Sequence, residues 1–178
     1  RRALILLSRY LFKSKNIKRF IFQSTHDRNF FIQHGICFVE NTLLVPGSGV
    51  EIKPFKEKNF EQENLSFLHM SRLIKSKGVE QYCEAAAEIK ERYDLKFFLA
   101  GEFEDLDRDG VSKEFVKYHH DKGNIEYLGF VSDVGELLNK THVVVLLTNY
   151  PEGIPKSLIE SAASGNIIIS SNQSGCLE

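Results

Sequence analysis

The sequence predicts an α/β protein: a Rossmann-like, doubly wound parallel sheet, preceded by a shorter segment of different character. Three observations predict it. From residue 65 onward, apolar runs of six or seven residues alternate with stretches of helical periodicity. HVVVLLT (142–148) is apolar and β-branched at consecutive positions, as expected of a buried parallel strand, and NIIISS (166–171) reads as a further strand. The stretches between runs are long enough for the crossover helix that parallel pairing requires.

The first twenty residues, RRALILLSRYLFKSKNIKRF, hold seven basic residues and no acidic one. Their first half reads as a helix with a broad apolar face. Such a helix can lie on an anionic membrane surface or pack on other parts of its own protein, and both readings stay open. RFIFQ (19–23) reads as a short strand. Ser24-Thr25-His26-Asp27 offers N-cap chemistry to a helix through about Gln33. His26 and Asp27 have the chemistry for catalysis, but a His-Asp pair at a helix start ordinarily caps. TLLVPGSGVE (42–51) reads as a strand entering a glycine-rich turn. The polar stretch 51–64 has no apolar period and reads as a linker. The organisation expected is therefore residues 1–50, a linker at 51–64, and a sheet domain at 65–178.

Within that domain LSFLHM (65–70) is the first strand. Gly78 to Tyr93 is a helix, since Val79, Tyr82, Cys83, Ala86, Ile89 and Tyr93 share a face. LKFFLAG (95–101) is the second strand. Val111 to Lys122 is a helix with Val111, Phe115, Val116 and His119 on one side. IEYLGF (125–130) is the third strand. Asp133 to Lys140 is a short helix with Ser132 as N-cap. HVVVLLT is the fourth strand, Pro155 to Ser164 a helix, and NIIISS the fifth strand.

Composition narrows the function classes. The chain has 178 residues, 42% apolar and 26% charged, with a net charge of −1, which gives no reason to expect nucleic acid as a partner. Three scattered cysteines, Cys37, Cys83 and Cys176, fit a reducing compartment and no disulfide framework. ALILL is far too short for a membrane span and lacks a leader's cleavage site. The chain opens on Arg-Arg and stops soon after a strand-like run, so it reads as part of a longer protein. The location expected is cytoplasmic, with peripheral contact at the inner face of the membrane left open.

The densest chemistry lies in NYPEGIPKSLIESAASG (149–165). Glu152 and Glu160 are eight positions apart, separated by a Gly153-Ile154-Pro155 turn and the start of a helix. Pro155 suits the first helical position and Gly165 the position just past the helix end. The unpaired amides around Ile154, Lys156 and Ser157 make an anion site at the carboxyl edge of the sheet, where open α/β folds bind ligands. The amides would take an anion and the carboxylates would accept bonds from hydroxyls. The plain alternative is that both glutamates are solvated. SRLIKSKG (71–78), after the first strand, puts Arg72 and Lys77 at the same edge, a bidentate clamp and a point charge suited to a diphosphate; solvated surface cations are the alternative, and Lys75 is assigned to it. Gly101 permits close approach of a ligand or simply makes a turn. Gly129-Phe130-Val131 offers main-chain groups to a base. The acidic loop Glu102-Phe103-Glu104-Asp105 reads as surface rather than a metal site. His119-His120, without a third ligand at metal spacing, reads as a solvated helix face. No Ser-His-Asp or Cys-His arrangement, P-loop or GxGxxG is present.

These motifs together resemble those of the large group-1 family of retaining glycosyltransferases with the GT-B fold. PEGIPKSLIESAASG resembles the family's Glu-x7-Glu signature, SRLIKSKG its phosphate loop, and VPGSGVE its hinge segment, with Glu51 in place of the usual Asp. LAGEFED and YLGFVSD match its two glycine loops, the first lacking its second glycine. The resemblance runs from about residue 20 to the end. It implies the carboxyl-terminal, donor-binding half of a GT-B enzyme, truncated at its C-terminus, together with the tail of the amino-terminal half.

By that resemblance Arg72 and Lys77 hold the diphosphate of a nucleotide sugar and Glu152 faces the donor sugar. Glu160 accepts from the ribose hydroxyls, the amides near Pro155 to Leu158 meet phosphate and sugar, and Val131 meets the base. Gly153, Ile154 and Gly101 belong to the same donor site. No metal or other cofactor is implied. The acceptor, a glycan or lipid-linked molecule, would be met by the other half, and the pathway would be surface polysaccharide assembly. The fragment alone would transfer nothing efficiently. A non-catalytic nucleotide- or glycan-binding module of this fold, and a GT-B sugar-nucleotide epimerase, remain alternatives.

Overall fold

The computed structural model describes residues 2–12, 17–51, 57–61, 64–104, 108–150 and 152–178. They fall into two compact units. One comprises Arg1–Gly49, Pro151–Lys156 and Ser174–Glu178; the other comprises Val50–Tyr150 and Ser157–Gln173.

The first unit contains α1 (Arg2–Phe12), β1 (Phe20–Phe22), α2 (Thr25–Gln33), β2 (Thr42–Leu44) and, much later in the chain, a short α7 (Ser174–Leu177). β1 and β2 pair in parallel, with Phe20 opposite Thr42. The expected cap at α2 forms: the Ser24 hydroxyl accepts from the Asp27 amide at 3.1 Å. Thr25 then donates its amide and hydroxyl to the Glu178 carboxylate at 2.6 and 3.0 Å. Carboxylate and amide dipoles both suit a helix N-terminus. His26 and Asp27 are exposed there. Phe22, Ile36 and Cys37 form the buried centre, whereas Leu4, Leu6, Leu7, Tyr10 and Leu11 of α1 are exposed. No helix among the described residues is long and apolar enough to cross a membrane.

The second unit is the expected sheet. It runs β3 (Ser66–Met70), α3 (Val79–Lys90), β4 (Lys96–Ala100), α4 (Lys113–Asp121), β5 (Glu126–Gly129), α5 (Val134–Lys140), β6 (Val143–Leu146), α6 (continuing from Lys156 to Ala163) and β7 (Ile167–Ser170). All pairings are parallel, in the order β5-β4-β3-β6-β7. Alternate residues serve opposite faces, as the pleat requires. Phe67, Phe97, Leu99, Val143 and Val145 pack with Val79, Tyr82, Cys83, Ala86 and Val116 of α3 and α4. Leu68, Phe98, Ala100 and Val144 pack with Leu137 and Leu138 of α5 on the other side. β6 is buried at every position, which is why it reads as a continuous apolar run, whereas the edge strand β7, equally apolar in sequence, leaves Ile167 and Ile169 exposed.

Several local expectations need correction. α3 begins after Gly78, which takes the left-handed conformation at φ 78° and caps it, and ends at Lys90, before the Tyr93 expected. α4 begins at Lys113 because the Ser112 hydroxyl accepts from the Phe115 amide; Val111 is instead bonded to the Leu73 carbonyl. Asp133, not Ser132, caps α5 by accepting from the Glu136 amide. Pro155 stands immediately before α6 rather than inside it. Gly165 follows α6 with φ 69°, as expected. His119 and His120 are not a solvated pair. His119 is buried, with its Nδ1 3.0 Å from the Asn124 side-chain Nδ2, and the His120 Nδ1 accepts from the Tyr127 amide. Burial pulls the His119 pKa down, against the pull of Glu84.

Candidate functional site

The chain order reverses its direction of growth across the sheet at β3: β4 lies on one side, β6 on the other. Outside the carboxyl ends of such a pair the loops diverge and leave room for a ligand. The loop after β3 carries both cations the sequence singles out, Arg72 and Lys77, and the loop after β6 runs beside it.

After β3 the chain alternates between anchors and cations. Arg72 is exposed, Leu73 and Ile74 are buried, Lys75 is exposed and Lys77 is buried. The anchors bridge to Phe103 and Gly110. Main-chain bonds run from Leu73 to Glu102 and from Lys75 to Asp109, at 2.9 and 2.7 Å. The Asp109 carboxylate accepts from both the amide and the hydroxyl of Ser76. A 3-10 turn over Lys75–Lys77 leads to Gly78. A Cβ there would lie 2.3 Å from the Leu147 carbonyl oxygen, so glycine alone fits. The loop is therefore rigid although it is mostly polar.

The loop after β6 is tied to the first. The Ser76 carbonyl accepts from the amides of Asn149 and Tyr150 at 2.8 and 3.2 Å, and from the Thr148 hydroxyl at 3.3 Å. These bonds place the Tyr150 ring within cation–π reach of both cations: Arg72 Cζ lies 5.7 Å and Lys77 Nζ 5.3 Å from its centroid. Arg72 also stands 3.7 Å from Glu104, in an exposed ion pair. Sequence reasoning assigned nothing to Tyr150; its place next to the Pro151-Glu152 motif at a strand end was the available signal.

Beneath the loop lies His69, fully buried, with its ring 5.2 Å from that of Tyr82. Its Nε2 is 2.9 Å from the Ser71 hydroxyl, which donates to the Arg72 carbonyl. Burial first, and the charge of Lys77 second, lower its pKa to about 4, while the Val145 main chain pulls the other way. A neutral histidine thus braces the turn that presents Arg72.

Gly101 has φ 148°, and a Cβ on it would fall 1.8 Å from the Ser71 carbonyl oxygen. What it admits closely is the β3 loop itself, a structural use for a position also assigned to ligand approach. Gly129 turns the chain at φ 66° before Val131, which packs half-buried against the α5 face. In α6, Leu158 is buried and Glu160 half-buried; Ser161, also buried, donates to the Ser157 carbonyl at 2.6 Å.

Glu152, Gly153, Ile154 and Pro155 belong to the first compact unit. There the main chain of Glu152 and Gly153 is backed by Gly175: a Cβ on Gly175 would lie 1.8 Å from the Gly153 carbonyl oxygen. Gly175 is a second residue the sequence reading missed. Of the acidic loop, Asp105 lies outside the described residues. Among the described residues no group of three or more His, Cys, Asp or Glu is arranged to hold a metal ion.

The second unit therefore gathers Arg72 and Lys77 at one aromatic ring at the switch point of a doubly wound sheet, an arrangement suited to a multiply charged anion.

Residues 51–178 match the family model described as glycosyl transferases group 1. Among curated proteins, the chain is 30% identical over 191 residues to the N,N'-diacetylbacillosaminyl-diphospho-undecaprenol alpha-1,3-N-acetylgalactosaminyltransferase of Campylobacter jejuni, covering 92% of this chain and 49% of that one. Among solved structures, HepE of Anabaena in complex with UDP matches with a TM-score of 0.75 at 20% identity, over 90% of this chain and 46% of that one. A glycosyltransferase from Rickettsia africae matches with a TM-score of 0.75 at 15% identity, over 95% and 48%. The chain spans about half the length of the curated relative it matches. It belongs to the group-1 glycosyl transferase family, and its sheet unit is the Rossmann-like unit of the GT-B fold.

Proposed function

We propose that this chain supplies the donor-binding part of a retaining glycosyltransferase. It holds a nucleotide-diphosphate sugar for transfer to a glycan or lipid-linked acceptor in surface polysaccharide assembly. One observation carries the reading: Arg72 and Lys77 converge on one ring at the sheet's switch point. Family membership and the UDP bound by HepE support it. The domain reading belongs to the same proposal: 65–178 as donor domain, 51–64 as linker and 1–50 as the tail of the acceptor-side half.

The chemistry follows from charge. As the glycosidic bond breaks, negative charge builds on the departing diphosphate while the sugar becomes oxocarbenium-like. Cations fixed beforehand stabilise that state more than the ground state. Arg72 and Lys77 take this role. They supply the positive charge a divalent ion would otherwise provide, so the reaction we propose needs no metal. Glu160 accepts from the ribose hydroxyls, Glu152 orients the donor sugar, the N–H groups of Gly153, Ile154, Lys156, Ser157 and Leu158 meet phosphate and sugar, and Val131 and Gly101 line the nucleotide.

The test is calorimetric titration with UDP, GDP and ADP. One nucleotide should bind, and Arg72→Ala should weaken its binding severalfold, to an affinity the titration still reads. Glu160→Ala should weaken it about tenfold or more, the scale of a charged hydrogen bond. Unchanged binding in both variants would overturn the reading. With the whole enzyme, Arg72→Ala should act chiefly on turnover and Glu160→Ala on donor affinity.

A further inference from the structure

We propose that Tyr150 is a positioning residue for the donor diphosphate: its ring holds the Arg72 guanidinium and the Lys77 ammonium side by side before any anion arrives. The inference rests on the reading of those two cations as diphosphate contacts.

The physical problem is like-charge repulsion. A diphosphate is best met by two cations close together, yet two cations close together repel. Lys77 is nearly buried, at 8% exposure, where water screens its charge poorly. The face of an aromatic ring carries partial negative charge and attracts cations within about 6 Å. Tyr150 has both within that distance, at 5.7 and 5.3 Å. A carboxylate in the same place would also offset the repulsion, but it would repel the diphosphate and compete for the cations. A ring does neither to a comparable degree, because its field falls off faster than that of a charge.

The main chain that carries the ring is fixed. The Tyr150 amide lies 3.0 Å from the Thr148 hydroxyl and 3.2 Å from the Ser76 carbonyl, so the loop after β6 is tied to the loop that carries Lys77. Ring and ammonium thus share one anchor, Ser76. Arg72 is the more exposed partner and is also close to Glu104, an acid from the loop after β4. In the absence of ligand the guanidinium is shared between ring and carboxylate. On binding, the diphosphate replaces Glu104 as its counter-ion while the ring stays in place.

Two measurements on the same variants test this. In proton NMR, the side-chain methylenes of Arg72 and Lys77 should be shifted upfield by the ring current. The shift should persist in Tyr150→Phe and vanish in Tyr150→Leu. In titration with the nucleotide that binds, Tyr150→Leu should weaken affinity about 5- to 20-fold, the scale of a largely desolvated cation–π contact. Tyr150→Phe should restore most of it, and Tyr150→Leu should cost much less when Arg72→Ala is already present. The thermal transition of each variant shows whether it is folded. If Tyr150→Leu binds like the wild type while Arg72→Ala does not, Tyr150 positions nothing and the diphosphate reading stands. If Arg72→Ala also binds like the wild type, that reading falls. Loss in Tyr150→Phe as well as Tyr150→Leu would overturn the positioning role in favour of a direct hydroxyl contact.

Discussion

The two edges of the sheet use cations in opposite ways. At the amino edge, the Lys58 ammonium donates to the carbonyls of Leu138 and Thr141 at the end of α5. The Asn166 side chain donates to the same two carbonyls, at 3.2 and 2.8 Å. Nearby, His142 Nδ1 accepts from the amide of Ser66, and the Ser66 hydroxyl is 2.8 Å from it. Burial lowers the pKa of Lys58 and, with the charge of Lys58, that of His142. Here polar groups close the last turn of a helix, which otherwise leaves carbonyls unsatisfied. At the carboxyl edge, Arg72 and Lys77 sit over an aromatic ring, and hydrogen bonds are spent on the main chain that carries them. A cation bonded to carbonyls is a strut. A cation beside a ring at the carboxyl edge stands where the sheet leaves room for a ligand. The comparison teaches that position at a sheet edge does not separate the two uses, and that the partners of the charge do.

Substitutions at each edge sharpen that contrast. The largest effect expected is from Arg72→Ala in the whole enzyme: about 100- to 1000-fold loss of turnover, the scale of one lost transition-state donor, with the melting temperature unchanged. A comparable loss of stability would mean that Arg72 is a strut as well.

Next comes His69, beneath the Arg72 turn. Its folded-state pKa of about 4 lies below the ordinary 6.5, so the unfolded chain takes up the proton first as pH falls. The neutral-pH stability is therefore complete above pH 6.5 and declines towards pH 4, by about 3 kcal/mol at most. Denaturant titrations across that range should show the slope in the wild type and a shallower one in His69→Leu, because His119 and His142, whose pKa values burial also lowers, remain.

Gly78→Ala should destabilise the second unit by about 2 kcal/mol, since it strains a positive φ and drives a methyl into the Leu147 carbonyl. Weaker nucleotide binding should accompany it, because Gly78 follows Lys77 directly. The smallest effect belongs to the amino edge. Lys58→Met should cost about 1–2 kcal/mol of stability and leave nucleotide affinity within about twofold of the wild type. A large affinity loss there would break the distinction between the edges.

Much of this was legible in the sequence, for physical reasons that differ by element. The strands were legible because a sheet buried on both faces demands continuous apolar residues, as in Val143–Leu146. The caps were legible where one side chain controls them, as at Ser24, and less so where two candidates adjoin, as at Ser132 and Asp133. Arg72 and Lys77 were legible because loops after parallel strands all end at one edge. Tyr150 was not, because which charges an aromatic ring serves depends on distances across the sheet. His69 was hidden inside an apolar strand, Lys58 inside a polar stretch, and Gly175 in a segment with no other distinguishing residue. Only packing shows that Gly175 backs the Glu152–Gly153 main chain.

The central claim is that the nucleotide binds at the carboxyl edge of the sheet, and amide chemical-shift mapping tests it most directly. On addition of UDP, GDP or ADP in turn, the nucleotide that binds should shift the amides of Arg72, Lys77, Gly78, Tyr150 and Glu160. Those of Lys58, Ser66, His142 and Asn166 should stay unmoved. Shifts confined to the amino-edge residues, or no shift with any of the three nucleotides, would contradict it.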